Sequence, residues 1–359
     1  MKHLLLTLFA AAAAFPAMAQ YTIYPVPQKM TAGEGTASFS GNVCLVCDEG
    51  IDAATQARAK QVLEEHGLTA SIADGEQACT SVIYLKTDPN VAVAGKYDAH
   101  EITLEAQSNG MVALTITGQH TDATFMGLAS LEQMLDAFGT TGLPCVNIKD
   151  YADQQQRGLV EGYYGYPYSL SVKKDLMRFM MRMKMNTYLY GAKSDPYHSE
   201  YWAQAYPQSV TTQQEENGWL SQDMMREVCE TSAATKVNFI WAIHPGNNFL
   251  GSSTVVKDIM GKFEKMHELG VRQFGVFVDD VSVPSSDSDL QLNASRLTEL
   301  QKAIEEKWNT PDAAPADTVR PLHFVPQIYC RGFASSEDQY ARFFRALSET
   351  PQNVVIYTT

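Results

Sequence analysis

The chain has 359 residues, 45% hydrophobic and 10% aromatic, with 27 basic against 41 acidic side chains and a net charge of -14. Such a length carries a prior of about two domains, and the apolar content supports large cores. The acidic balance argues against nucleic acid or an anionic membrane as partner, because both select basic patches.

The N-terminus reads as a secretory signal. Lys2 and His3 precede an apolar run from Leu4 to Phe15, followed by Pro16-Ala17-Met18-Ala19-Gln20. The run is too short to span a bilayer and leads to an Ala-x-Ala site, so cleavage is expected after Ala19 and the mature chain is expected to be secreted or periplasmic. No Cys stands directly after that site and no later apolar run is long enough to cross a membrane, so no membrane anchor is expected. Six cysteines follow: Cys44, Cys47, Cys79, Cys145, Cys229 and Cys330. Their sparse, irregular spacing excludes a disulfide scaffold. Cys44-x-x-Cys47 lies in an extended run, where residues three apart face opposite sides. A redox motif is therefore not expected there, and no second pair completes a zinc site. Buried thiols or one isolated disulfide remain.

Residues 20 to 150 mix strand-like runs (43–46, 82–85, 101–104, 111–117) with helices over 52–66, closed by Gly67, and 121–138, closed by Gly139. In the second helix Phe125, Leu128, Leu131, Met134 and Leu135 follow helical spacing. Grouped strands with two helices predict an α+β layer domain without catalytic features. Tyr24-Pro25-Val26-Pro27-Gln28-Lys29 and the run from Gly127 to Leu135 resemble the accessory domain preceding the barrel in several hexosaminidase families. The polar, aperiodic stretch from Asp150 to Gln156 reads as a linker.

Beyond it, strand and helix patterns alternate. Strands are predicted over 157–164, 186–190, 237–243, 271–278, 323–329 and 354–358, and helices over 171–184, 221–235, 253–269, 290–308 and 335–348. In the first of these helices Leu176, Phe179, Met180 and Met183 share a face, which reads as core packing rather than a cofactor box. Strict alternation means a parallel sheet covered by helices. No Gly-x-Gly-x-x-Gly follows a strand, so dinucleotide binding is disfavoured. The spacing fits a (β/α)8 barrel that is incomplete: six units where closure needs eight.

In such a barrel the site lies where the strands end. Those positions hold Glu161-Gly162-Tyr163-Tyr164, Lys193-Ser194-Asp195, His244-Pro245-Gly246, Asp279-Asp280, Tyr329-Cys330-Arg331 and Thr358. His198 and His244 stand singly, so no metal site is read, and no other cofactor is expected. No nucleophile elbow occurs. Asp279 and Asp280 end the apolar run Gly275-Val276-Phe277-Val278. A turn or helix cap accounts for one such Asp more readily than for two. Paired carboxylates beside tyrosines suit glycosidic bond cleavage. Adjacent Asp residues cannot flank one anomeric carbon as nucleophile and acid. They suit instead a route in which the sugar's own 2-acetamido oxygen attacks, with one Asp orienting the amide and the other acting as general acid and then base. Mutual repulsion of two close carboxylates should help keep the acid protonated.

Arg157-Gly158-Leu159-Val160-Glu161-Gly162-Tyr163-Tyr164-Gly165, Lys193-Ser194-Asp195-Pro196-Tyr197-His198, Ile243-His244-Pro245-Gly246 and Phe277-Val278-Asp279-Asp280 together resemble glycoside hydrolase family 84, the retaining β-N-acetylglucosaminidases that include O-GlcNAcases and hyaluronidase-like enzymes. The resemblance implies that Asp279 orients the acetamido group and Asp280 is the general acid/base. It implies that Gly162 and Lys193 bind sugar hydroxyls. Tyr164, Tyr329 and Thr358 would line the acetamide pocket, with Val325 beside its methyl group. The substrate class implied is GlcNAc-containing glycans or glycoproteins. Ala192-Lys193-Ser194-Asp195 departs from the usual Pro-Lys-Asp-Asp of that family. The last two barrel units, with the family's Asn and Asp contacts to the outer hydroxyls, have no counterpart in this sequence. A truncated, non-catalytic sugar-binding or structural remnant is therefore the alternative to an active enzyme. The sequence leaves the oligomeric state open.

Overall fold

The computed structural model describes residues 21–73, 79–107, 111–351 and 353–359. The expected signal segment lies outside the described residues. Two compact units part after Asp153.

The first unit holds β1 (Lys29–Ala37), β2 (Asn42–Cys47), α1 (Ala53–Glu65), β3 (Thr69–Ile72), β4 (Ser81–Thr87), β5 (Tyr97–Ala106), β6 (Val112–Gly118), α2 (Thr121–Phe138) and β7 (Leu143–Ala152). The sheet runs β1-β7-β5-β6-β4-β2-β3, parallel from β6 through β3 and antiparallel elsewhere. Leu114 and Ile116 of β6 join Leu128, Leu131, Met134 and Leu135 of α2 in one core. Gly127 permits that close docking, since a Cβ there would lie 2.5 Å from Ile116 Cγ2.

Three strands escaped the sequence reading. β1 is mostly exposed and polar and β3 is short; both are edge strands, where polarity protects against further pairing. Part of the expected linker belongs to β7: Asp150 pairs with His100 and Ala152 with Tyr97. A partner strand supplies main-chain bonds whatever the side-chain pattern. Cys44 is disulfide-bonded to Cys79, and Cys47, Cys145, Cys229 and Cys330 are free.

The second unit continues with β8 (Gly158–Glu161), α3 (Leu170–Arg182), β9 (Thr187–Tyr190), α4 (Thr212–Glu216), α5 (Gln222–Thr235), β10 (Asn238–Ile243), α6 (Asn248–Gly251), α7 (Val255–Glu268), β11 (Phe274–Phe277), α8 (Asp287–Trp308), β12 (His323–Val325), α9 (Glu337–Leu347) and β13 (Val355–Ile356). The sheet order is β8-β9-β10-β11-β12-β13, every neighbour parallel. This is an incomplete (β/α)8 barrel. Leu189, Ile240, Ala242 and Phe277 fill one core cluster, with Val325 and Tyr357 packed against it.

Several strands are shorter than predicted. β8 stops at Glu161 rather than at Tyr164, and β12 stops at Val325, where Pro326 removes a ladder donor. The predicted face of α3 is rotated. Lys173, Met177, Met180 and Met181 are buried, whereas Phe179 is 53% exposed. Lys173 turns the helix because its ammonium is held inside by Glu161, both side chains being fully buried. Of the two methionines in the expected stripe, Met180 is core and Met183 is half-buried; Met177 and Met181 complete the buried face.

Candidate active site

β11 is buried throughout, and Val278 extends its ladder by donating to the Val325 carbonyl at 2.9 Å. The chain then leaves the sheet. Asp280 adopts φ 62°, a left-handed conformation that Asp tolerates better than most residues. The turn sends the two carboxylates toward the loops after β8 and β9.

Lys193 joins them. Its Nζ donates to Asp279 Oδ2 at 2.8 Å and to Asp280 Oδ2 at 3.0 Å. Tyr164 donates its hydroxyl to the same Asp280 oxygen at 3.0 Å, with the Lys193 ammonium 5.5 Å from its ring centre. His244 Nε2 donates to the Asp279 carbonyl at 3.0 Å. The Asp279 side chain is 19% exposed and that of Asp280 46%. Asp279 Oδ1 is buried and has no hydrogen-bond partner among the described residues.

The charges do not behave as adjacency alone suggested. The Lys193 bond, supported by Tyr164 and opposed by burial, holds the Asp280 carboxyl below the usual carboxylate range. Burial alone would lower the Lys193 ammonium, but its bonds to Asp279 and Asp280 outweigh that and raise it. A shared cation replaces the mutual repulsion expected to keep the acid protonated. In the ligand-free protein Asp280 is therefore a carboxylate at neutral pH.

The other expected residues are spread around this pair. Gly162 follows β8, where a Cβ would lie 3.2 Å from Val160 Cγ1 and 3.8 Å from the Phe277 ring. Val325 ends β12 on the inner cluster beside Phe277. The Tyr329 hydroxyl is raised by burial and by the charges of Asp280 and Asp279, and its ring packs on Phe333 at 4.8 Å. Thr358 is exposed beyond β13, and no bond joins it to the carboxylates among the described residues.

Residues 157–359, more than half of the chain, match the family described as beta-N-acetylglucosaminidase. The chain belongs to that family, glycoside hydrolase family 84. Residues 20–151 match domain 2 of glycosyl hydrolase family 20, in keeping with the accessory domain read from the sequence. Two curated relatives, the Protein O-GlcNAcase of Rattus norvegicus and of Mus musculus, are each 24% identical over 193 residues, covering 54% of this chain and 19% of the relative. The solved structure of CpGH84D matches with TM-score 0.78 and 27% identity over 95% of this chain and 55% of its own. CpGH84B shares the fold, with TM-score 0.73 and 24% identity over 95% of this chain and 56% of its own. The chain thus spans a minor part of its curated relatives and little more than half of these solved chains.

The family 84 motifs contain residues that the sequence reading left without a role. Glu161, at a strand end with the other carboxylates, is an internal anchor. It accepts from Lys173 Nζ at 3.0 Å, Tyr188 OH at 2.5 Å and Tyr168 N at 2.8 Å. Lys173 also donates to the Tyr168 carbonyl. Together they tie down both ends of the loop bearing Tyr164. His244, which stands singly in the sequence reading and is not a metal ligand there, holds the backbone of Asp279. Its place in the His-Pro-Gly motif at a strand end was the available signal.

Proposed function

We propose that this chain carries the catalytic pair of a retaining β-N-acetylglucosaminidase, which removes terminal β-linked GlcNAc from glycoconjugates through an oxazoline intermediate. The observation that carries the reading is the asymmetry of Asp279. One of its oxygens is fixed by Lys193, and the other is a buried acceptor without a donor among the described residues. A buried unpaired carboxylate oxygen costs about 1–3 kcal/mol or more unless something donates to it. The N–H of a 2-acetamido group fits that need, and the bond would turn the acetamido oxygen toward the anomeric carbon.

Asp280 is the more exposed of the two and would serve the leaving oxygen. It must first gain a proton. Lys193 is the group that opposes this, and sugar hydroxyls that draw its ammonium away would raise the Asp280 pKa. Asp280 would then protonate the departing oxygen, and afterwards deprotonate the water that opens the oxazoline. GlcNAc-bearing glycans or glycoproteins are the substrate class this chemistry selects. The Lys2–Ala19 pattern further supports export with cleavage after Ala19, which N-terminal sequencing of the mature protein would check.

The test is hydrolysis of an aryl N-acetyl-β-glucosaminide against the matching β-glucoside, which lacks the acetamido group. The purified protein should cleave only the former, and Asp280→Asn should slow it about a hundredfold or more. An unchanged rate in that variant would sink the assignment. Binding of a thiazoline sugar without any turnover would mark a sugar-binding relative instead.

A further inference from the structure

One short turn stands behind both bonds that Asp280 receives. Asp195 N donates to the Ala192 carbonyl at 2.9 Å, closing a turn with Lys193 and Ser194 at its centre. Lys193 reaches Asp279 and Asp280 directly. Ser194 Oγ accepts from Gly165 N at 3.0 Å. Gly165 follows Tyr164, whose hydroxyl bonds Asp280. Ser194 is also, with Ala192, one of the two positions at which this chain departs from the family's usual motif.

The end of the turn is firmly held. Asp195 is fully buried. Its Oδ2 accepts from Tyr190 OH at 2.7 Å and Tyr206 OH at 2.5 Å, and its Oδ1 accepts from Tyr197 N at 2.9 Å. Tyr206 OH in turn accepts from Trp241 Nε1 at 3.0 Å. The turn is thereby fastened to β9, to β10 and to the segment around Tyr206. Three donors on one buried carboxylate are charge-assisted bonds, stronger than neutral ones. The side-chain bonds of Asp195 go to Tyr190, Tyr206 and Tyr197, and those of Asp279 and Asp280 to Lys193 and Tyr164.

We propose that Asp195 is a positioning residue for Asp280: it fixes the turn that sets Lys193 Nζ and, through Ser194 and Gly165, the Tyr164 hydroxyl against the Asp280 carboxylate. The groups facing Asp280 are Lys193, Tyr164, Asp279, His244 and Tyr329. Of these, Lys193 does most to keep its carboxyl ionised, and Lys193 sits two residues from Asp195 in the same turn. A loosened turn withdraws the cation and lets Asp280 hold its proton at higher pH. The catalytic meaning of this rests on the proposed role of Asp280, but the positioning does not.

The experiment is a carboxyl ¹³C NMR titration of the ligand-free full chain, with the Asp280 signal assigned by its loss in Asp280→Asn. Lys193→Gln provides the reference and should raise the Asp280 midpoint. Asp195→Asn, folded by circular dichroism, should raise it in the same direction. A folded Asp195→Asn with the wild-type midpoint, while Lys193→Gln shifts it, overturns the proposal. If Asp195→Asn does not fold, Tyr206→Phe removes one donor and keeps the charge. A raised midpoint there supports the proposal and a wild-type midpoint overturns it. Failure of the wild-type protein to hydrolyse GlcNAc substrates would count against the proposed function and would leave the titration unaffected.

Discussion

Replacing Glu161 by Gln removes one negative charge while keeping the shape of the side chain. Lys173 then keeps only neutral oxygen partners, the Tyr168 carbonyl and the amide oxygen at position 161, and sits 5.0 Å from the Tyr190 ring centre, in a site with no solvent exposure. Breaking one side of a fully buried ion pair costs about 3–5 kcal/mol, because the other charge stays buried without its counter-charge. No cavity contributes, since the volumes match. Lys173 has one escape: burial already lowers its ammonium pKa, with Glu161 opposing, so in the variant it can shed its proton. That sets the sign of the pH dependence. The unfolded chain keeps the proton over a range where the folded variant has lost it, so the variant's stability rises with pH there. Urea denaturation of Glu161→Gln, Lys173→Met and the double variant measures all of this. Glu161→Gln should cost at least about 3 kcal/mol near neutral pH, and the double variant should cost less than the sum of the singles by about 2 kcal/mol. A Glu161→Gln cost below about 1 kcal/mol, or strict additivity, would refute the account of the pair.

Lys262 is fully buried, within 4.6 Å of the Tyr206 ring centre and 5.1 Å of that of Trp241. Burial lowers its ammonium to about 7. Between that value and the unfolded value the unfolded chain binds the extra proton, so wild-type stability should rise from pH 7 to pH 9 relative to Lys262→Met, by at most about 1.4 kcal/mol per unit. Parallel stability curves for the two proteins would contradict this. Reduction, or a Cys44→Ala/Cys79→Ala variant, opens a loop with a sequence separation of 35. Chain entropy puts the loss at about 4 kcal/mol, to be read from the urea midpoint, and a loss under about 1 kcal/mol would argue against the disulfide as a stabilising link.

The sequence exposed whatever depends on periodicity or on catalytic residue types. The buried apolar strands β9, β10 and β11 and the capped helices α2, α5 and α8 are visible in it. So are Asp279, Asp280 and Lys193, because strands of a parallel sheet present their chemistry at one end. It hid what depends on partners distant in sequence. Polar β1 and the end of β7 are strands because neighbours bond them. The face of α3 follows from Lys173 meeting Glu161 across the interior, a pairing that no helical pattern encodes. Asp195 is one more strand-end residue until the fold brings Tyr206 to it, with Trp241 bonded to Tyr206 in turn. The state of Asp280 was misjudged for a related reason: the two carboxylates are adjacent in sequence, whereas the lysine between them arrives from another strand.

The division of labour between Asp279 and Asp280 is the central claim, and a leaving-group series tests it most directly. The rates of Asp279→Asn and Asp280→Asn would be measured on aryl N-acetyl-β-glucosaminides whose phenols span a range of pKa. Asp280→Asn should lose progressively more rate as the leaving phenol becomes more basic, because the missing proton matters most there. Asp279→Asn should lose a similar factor on every substrate, because it acts on the attacking acetamido group and not on the leaving oxygen. Equal slopes for the two variants, or no turnover of any member of the series by the wild-type protein, would contradict the account.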